Sequence, residues 1–161
     1  GVVVHQVPHR VLAVPAADTR VRPLSKPSSP SQGHFGLDVP FLDTIGLASE
    51  SWGEGRARTR LPLRREITNS RGEAQGGSLM TALDFTMSAA ARASYPEPVG
   101  AATIDMSASF LAPALSDLVI EATCLKAGRA LAFCEGEVRD AKGHLVARAT
   151  ATFKMIHRKE P

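Results

Sequence analysis

The sequence predicts an α+β fold in which a long central helix is wrapped by a curved antiparallel sheet of about five or six strands. Three observations predict it. The stretch from Gly76 to Ala91 is apolar around most of its circumference, and Asp84 is its one charged residue. Four later segments alternate with the period of a strand, and short turns link the last three. The order along the chain is strand, helix, then antiparallel meander. A helix apolar nearly all round is a buried helix, and it needs a sheet to cover it.

The chain has 161 residues, enough for one domain with a sizeable core. Residues 1–36 carry Pro8, Pro15, Pro23, Pro27 and Pro30 and a polar Ser/Pro run, a composition that resists regular structure. They read as an arm, with one short strand expected around Arg10 to Val14. The compact domain is expected over residues 37–157 and a tail over 158–161. Pro40 to Leu47 reads as a short helix, with proline in its first turn and Gly46 at its end. From Ala48 to Leu63 the period is that of a strand. Arg56, Arg58 and Arg60 fall on one face, with Ala57, Thr59 and Leu61 on the other.

The apolar helix follows. Ile104, Met106, Ala108 and Phe110 then form one face of a strand whose other face is Thr103, Asp105, Ser107 and Ser109. On this pattern Thr103 points away from its own helix. Asp117 to Lys126, Ala130 to Arg139 and Leu145 to Phe153 complete the meander. They turn at Ala127-Gly128-Arg129 and at Asp140-Ala141-Lys142-Gly143.

Composition excludes several classes. The net charge of +3 is mild. It suits a phosphate-bearing small molecule as well as a polyanion, and no aromatic–basic interleaving suggests base stacking. No apolar run is long enough to span a bilayer. Val2-Val3-Val4, interrupted by His5 and Pro8, lacks the continuous apolar core of a secretory signal. A hairpin turning near Ala127-Gly128 places Cys124 near Leu131, which puts Cys134 out of disulfide range. Two free thiols fit a reducing, cytoplasmic setting. The five histidines (His5, His9, His34, His144, His157) show no metal-ligand spacing. No Gly-x-Ser-x-Gly elbow, phosphate loop or dinucleotide fingerprint is present.

Asp84 is the residue with chemistry to explain. A carboxylate in an apolar helix loses water and needs a partner or a task. It either bonds to Thr81 or Ser88 within the helix, or it reacts. Gly76 and Gly77 open the helix with bare N–H groups suited to a developing negative charge. Asn69 is either a turn residue or a site residue.

The run Asn69-Ser70-Arg71-Gly72-Glu73-Ala74-Gln75-Gly76-Gly77, with Asp84 seven residues further on, resembles the hotdog-fold thioesterases. The resemblance extends to Ser109–Ala114, Lys126–Phe133 and Val138–Ala147. It is to the phenylacetic-acid-degradation type within the 4-hydroxybenzoyl-CoA thioesterase superfamily, and it covers roughly Pro40 to Met155.

The resemblance implies hydrolysis of a small or medium acyl-CoA to free acid and CoA, with no metal or other cofactor. It implies a site shared between subunits, with Asn69 and Gly77 from one chain and Asp84 from its neighbour. Asp84 would be general base or nucleophile, and Gly76 and Gly77 would let the thioester approach a backbone N–H. Thr103 stands where relatives place a water-positioning hydroxyl. Gln75 stands where the family usually has histidine; it can donate and accept hydrogen bonds but cannot carry a proton. Lys126, Gly128 and Arg129 are the candidates for CoA contact, with Arg56, Arg58, Arg60 and Arg148 as further cations.

The implied partners are an acyl-CoA and copies of the same chain, a dimer at minimum with a tetramer expected, and neither nucleic acid nor membrane. A non-catalytic acyl-CoA-binding or sensing module is the alternative. A hotdog dehydratase ranks last, because that chemistry wants a histidine near the helix.

Overall fold

The computed structural model describes residues 33–157. The strand expected around Arg10 to Val14 and the tail 158–161 lie outside the described residues. Among the described residues nine elements follow one another, one of them a single 3₁₀ turn at Arg65–Ile67. The others are α1 (Pro40–Ile45), β1 (Ala48–Gly53), β2 (Arg56–Leu61), α2 (Gly76–Arg92), β3 (Val99–Phe110), β4 (Leu118–Ala127), β5 (Leu131–Arg139) and β6 (Leu145–His157). The strands form one antiparallel six-stranded sheet in the order β1-β2-β4-β5-β6-β3. The α+β expectation of a helix wrapped by such a sheet holds.

α1 begins with Pro40 and ends at Gly46, whose φ of 75° suits a residue without a Cβ. The run expected as one strand from Ala48 to Leu63 is two. It folds back at Glu54 and Gly55, both at positive φ, which is the geometry of a two-residue hairpin turn. Arg58 and Arg60 are not a free basic face. Both bind Glu50, and Arg58 also binds Glu121, so these charges serve the sheet. The two guanidinium groups hold the Glu50 carboxyl below its usual range.

α2 lies on the sheet's inner face. Ala82, Leu83, Met87, Ala89, Ala90 and Ala91 are fully buried against Leu61, Leu118, Ile120, Val138 and Phe153. The seat is close because Gly136 on β5 has no side chain: a Cβ there would stand 3.1 Å from both Leu83 and Met87. One buried polar contact ties helix to sheet. Thr86 Oγ1 donates to the Ala82 carbonyl at 2.6 Å and accepts the Thr59 hydroxyl at 2.7 Å. The helix is not covered all round, however. Gly77, Met80, Thr81, Asp84 and Ser88 recur at helical spacing along a stripe that the sheet leaves open.

Two register expectations change. β3 pairs with β6 along its length, but a β-bulge intervenes between Thr103 and Asp105, with Ile104 as the extra residue. Thr103 opposes Phe153, and beyond the bulge Met106 opposes Ala151; both partners are buried. The bulge therefore turns Thr103 to the helix side and leaves Ile104 58% exposed. This reverses the expected faces at that point.

The β4–β5 hairpin also closes later than expected. It pairs Ala127 with Ala132, and an extra residue at Leu125 brings Cys124 opposite Cys134. The two cysteines are neighbours across the strands, though both thiols are free. Burial, with Cys124 beside it, pushes the Cys134 thiol well above its usual range.

Two outcomes test this packing. Thr86→Val strands the buried Thr59 hydroxyl and should cost about 1–3 kcal/mol in urea unfolding, whereas Thr59→Val/Thr86→Val should cost less than Thr86→Val alone. A thiol reagent at pH 8 should modify Cys124 at least roughly tenfold faster than Cys134 in the folded protein. Equal rates in mass spectrometry would contradict the burial of Cys134.

Candidate active site

The site residues read from the sequence collect around α2, but not at one point. Gln75 is the helix N-cap. Its Oε1 accepts the Gly77 N–H at 2.5 Å and the Ser78 N–H at 3.2 Å. The long side chain thus does the work that serine or aspartate usually does at this position. The Gly77 N–H, expected to face a substrate carbonyl, is instead held by an amide oxygen of the same chain. Gly76 N–H has no acceptor among the described residues.

The helix tip separates two clefts. One, of about 410 Å³, is lined by Asn69, Arg71, Glu73, Gly76, Leu79 and the segment Phe110–Ala114. The other, of about 480 Å³, holds Gln75, Gly77, Ser78 and Thr81 opposite Phe41 and Glu66.

Asn69 organises the loop that leads into the helix. Its Oδ1 accepts the N–H groups of Arg71 (2.9 Å) and Glu73 (3.2 Å), and its Nδ2 donates to Glu73 Oε2 at 3.2 Å. Arg71 binds the same carboxylate at 2.6 Å. The Arg71 guanidinium first, and the Asn69 amide second, hold the Glu73 carboxyl below its usual range. The turn reading of Asn69 is therefore realised, and its side chain is already engaged.

Asp84 has a different partner from those expected. Thr81 donates to the Gly77 carbonyl and Ser88 to the Phe85 carbonyl. The Asp84 carboxylate instead accepts the Thr103 hydroxyl at 2.7 Å. The sequence reading turned Thr103 outward, and the bulge at Ile104 is the physical reason it faces Asp84. Asp84 is half-buried and forms no ion pair among the described residues. It is a carboxylate positioned but not neutralised. Seven residues separate it from Gly77, roughly 10 Å at helical rise. Within one chain the two do not reach a common carbonyl, since catalytic hydrogen bonds act near 3 Å.

Lys126, Gly128 and Arg129 sit on the β4–β5 hairpin, at the other end of α2. Tyr95, just past the helix, donates its hydroxyl to the Gly128 carbonyl at 2.5 Å. His157 Nε2 lies 2.7 Å from the Arg129 carbonyl. The tips of α2 are about 24 Å apart. One chain therefore does not bring these residues to Gly77. Lys126 and Arg129 are exposed and make no salt bridge among the described residues. The cap on Gly77 and the Asp84–Thr103 pair were both missed by sequence reasoning. The first depends on a side-chain rotamer and the second on a bulge, and neither leaves a periodic signal.

Known proteins resemble this chain. A model of the thioesterase superfamily matches residues 72–147. The protein named "Putative esterase VNG_1336C" of Halobacterium salinarum is 30% identical over 130 residues, covering 74% of this chain and 86% of that protein. Among solved structures, conserved protein PA5202 from Pseudomonas aeruginosa superposes with a TM-score of 0.71 at 28% identity, covering 74% of this chain and 95% of that one. The Streptococcus mutans protein smu.793, solved bound to acetyl CoA, shares the fold with a TM-score of 0.65 at 21% identity, covering 71% and 92%. Among the described residues no helix is long and apolar enough to cross a membrane.

The Asn69 geometry gives a test. Asn69→Ala removes the acceptor of two loop N–H groups and a donor to Glu73, and should lower stability by about 1–2 kcal/mol in urea unfolding. An unchanged midpoint would mean that the loop does not depend on this side chain.

Proposed function

The chain belongs to the thioesterase superfamily, and from that membership we propose that it hydrolyses the thioester of a small or medium acyl-CoA. The observation that carries the reading is Asp84. Its carboxylate is half-buried, unpaired to any cation among the described residues, and oriented by Thr103 on the uncovered stripe of α2. A carboxylate held by a hydroxyl and paired to no cation is free to act on water or on a carbonyl carbon.

The site is completed by a second copy of the chain. Gly77 and Asp84 share the open stripe yet stand roughly 10 Å apart, so an antiparallel neighbour helix would set one chain's Gly77 beside the other's Asp84. β3 is an edge strand with free backbone groups, a natural seam for that pairing. In such a dimer the Lys126–Arg129 hairpin of one chain also moves toward the helix tip of the other, where its cations can meet the CoA phosphates. A tetramer would follow from pairing such dimers. Among superfamily members, the ordered segments from Asn69 to Ala147 favour the phenylacetic-acid-degradation type. The acetyl CoA held by smu.793 supports a CoA-type ligand in this fold.

The chemistry then runs as follows. The thioester carbonyl takes a backbone N–H at the Gly76–Gly77 tip, displacing Gln75 Oε1 where Gly77 is used. Asp84 removes a proton from water as the water attacks, or itself attacks the carbonyl. Negative charge grows on the carbonyl oxygen, where the N–H and the helix dipole stabilise it. Collapse of the intermediate expels the CoA thiolate. In the general-base route Asp84 passes its proton to that thiolate. In the nucleophilic route water hydrolyses the Asp84 acyl anhydride to the free acid and restores the carboxylate. Thr103 holds the Asp84 carboxylate in line, and Asn69 holds the loop that shapes the entrance.

One observation favours a second reading, a non-catalytic acyl-CoA sensor: the Gly77 donor is already occupied by Gln75. A panel of acyl-CoAs with a thiol reagent separates the two. Hydrolysis predicts CoA release by the wild type and a roughly 10²–10⁴-fold lower kcat for Asp84→Asn. Saturable binding with no release would favour the sensor. Release undiminished in Asp84→Asn would remove Asp84 from the mechanism.

A further inference from the structure

A cavity of about 720 Å³ lies at the C-terminal end of α2, larger than either cleft at the helix tip. Its walls are apolar and aromatic, with Phe35, Trp52, Tyr95, Val99 and Ile156 among them, and Arg92 enters it from the last turn of the helix. That volume suits a small organic ligand.

Arg92 is the unusual feature. Its Nη2 donates to the Phe35 carbonyl at 2.9 Å, and its guanidinium stacks over the Trp52 ring at 4.9 Å. Nη1 is buried and finds no acceptor among the described residues. No carboxylate among the described residues pairs with the group. Glu97 also lines the cavity, but it is exposed and forms no ion pair with Arg92. Burial pushes the Arg92 pKa down, as expected for a cation that has lost water without gaining an anion. A ring face and the negative end of the helix dipole compensate such a charge only partly. Arg92 is the one cation among the cavity's described lining, and a guanidinium without a counter-ion attracts an incoming carboxylate.

We propose that this cavity binds a small apolar monocarboxylate, with its carboxylate on Arg92 and its hydrocarbon body against Trp52, Phe35 and Val99. The site is separate from the Asp84 carboxylate: Arg92 is eight residues beyond it, about 12 Å along the helix, and Asp84 does not line the cavity. It does not rest on the thioesterase reading.

Trp52 is the chain's single tryptophan, so its fluorescence reports the cavity directly. The experiment titrates the full chain with phenylacetate, with hexanoate, and with phenylacetamide as the uncharged control. The acids should give a saturable Trp52 signal, and the amide should bind at least tenfold more weakly. Arg92→Met, which keeps the apolar stem, should weaken acid binding at least tenfold. Ile156→Glu puts a negative charge at an exposed wall position, should fold normally and should also weaken it at least tenfold; this variant carries the test if Arg92→Met does not fold. Glu97→Gln should bind the acids as tightly as the wild type or tighter. An absent signal, an amide that binds as well as the acid, or acid binding unchanged by Ile156→Glu would each overturn the proposal. The assay contains no acyl-CoA, so it succeeds or fails whether or not Asp84 hydrolyses thioesters.

Discussion

The close seating of α2 on the inner face of the sheet is the constraint from which the other features follow. It depends on absent side chains as much as on present ones. Gly136 lets Leu83 and Met87 approach the sheet, and buried alanines keep the far half of the helix slim. The Thr59–Thr86 bond adds direction where dispersion alone would allow sliding. Once the helix is fixed, the height of Asp84 above the sheet is fixed too, and so is the position of the two glycines at its tip. A methyl group at position 136 would press on the same residues that hold this register.

The bulge in β3 is the second determinant. By inserting Ile104 it changes the face of every residue before it, and that places the Thr103 hydroxyl on Asp84. It also puts an isoleucine outward on an edge strand. Edge strands and contiguous apolar surface are costly to leave in water. The positioning of the carboxylate and the exposure of Ile104 therefore have the same local cause.

What the sequence made legible follows its periodicities. The 3.6-residue pattern of Gly76–Ala91 and the two-residue pattern of the later strands survive local irregularity, so the helix and the meander could be read, as could Asp84 as the residue needing explanation. Single-residue insertions are invisible to that method. Ile104 in β3 and Leu125 in β4 each break alternation without breaking composition, so Thr103 was turned the wrong way and Cys124 was paired with the wrong neighbour. Gly53-Glu54-Gly55 is a plain turn signal, but the arginine alternation beside it reads as one continuous strand across the β1–β2 turn. Gln75 was read for the proton it lacks rather than for the reach of its amide, and that reach makes it the cap. The pairing of Arg58 and Arg60 with Glu50 likewise needed the hairpin before it could be seen.

The Gln75 cap carries one more consequence. Its amide oxygen has no ionisation anywhere in the range that proteins tolerate, whereas an imidazole at the same place would gain a proton on mild acidification and lose its power to accept. Acidification that would remove the acceptor of a histidine cap leaves the Gln75 oxygen able to accept, so this cap does not titrate when the carboxylates elsewhere in the chain do.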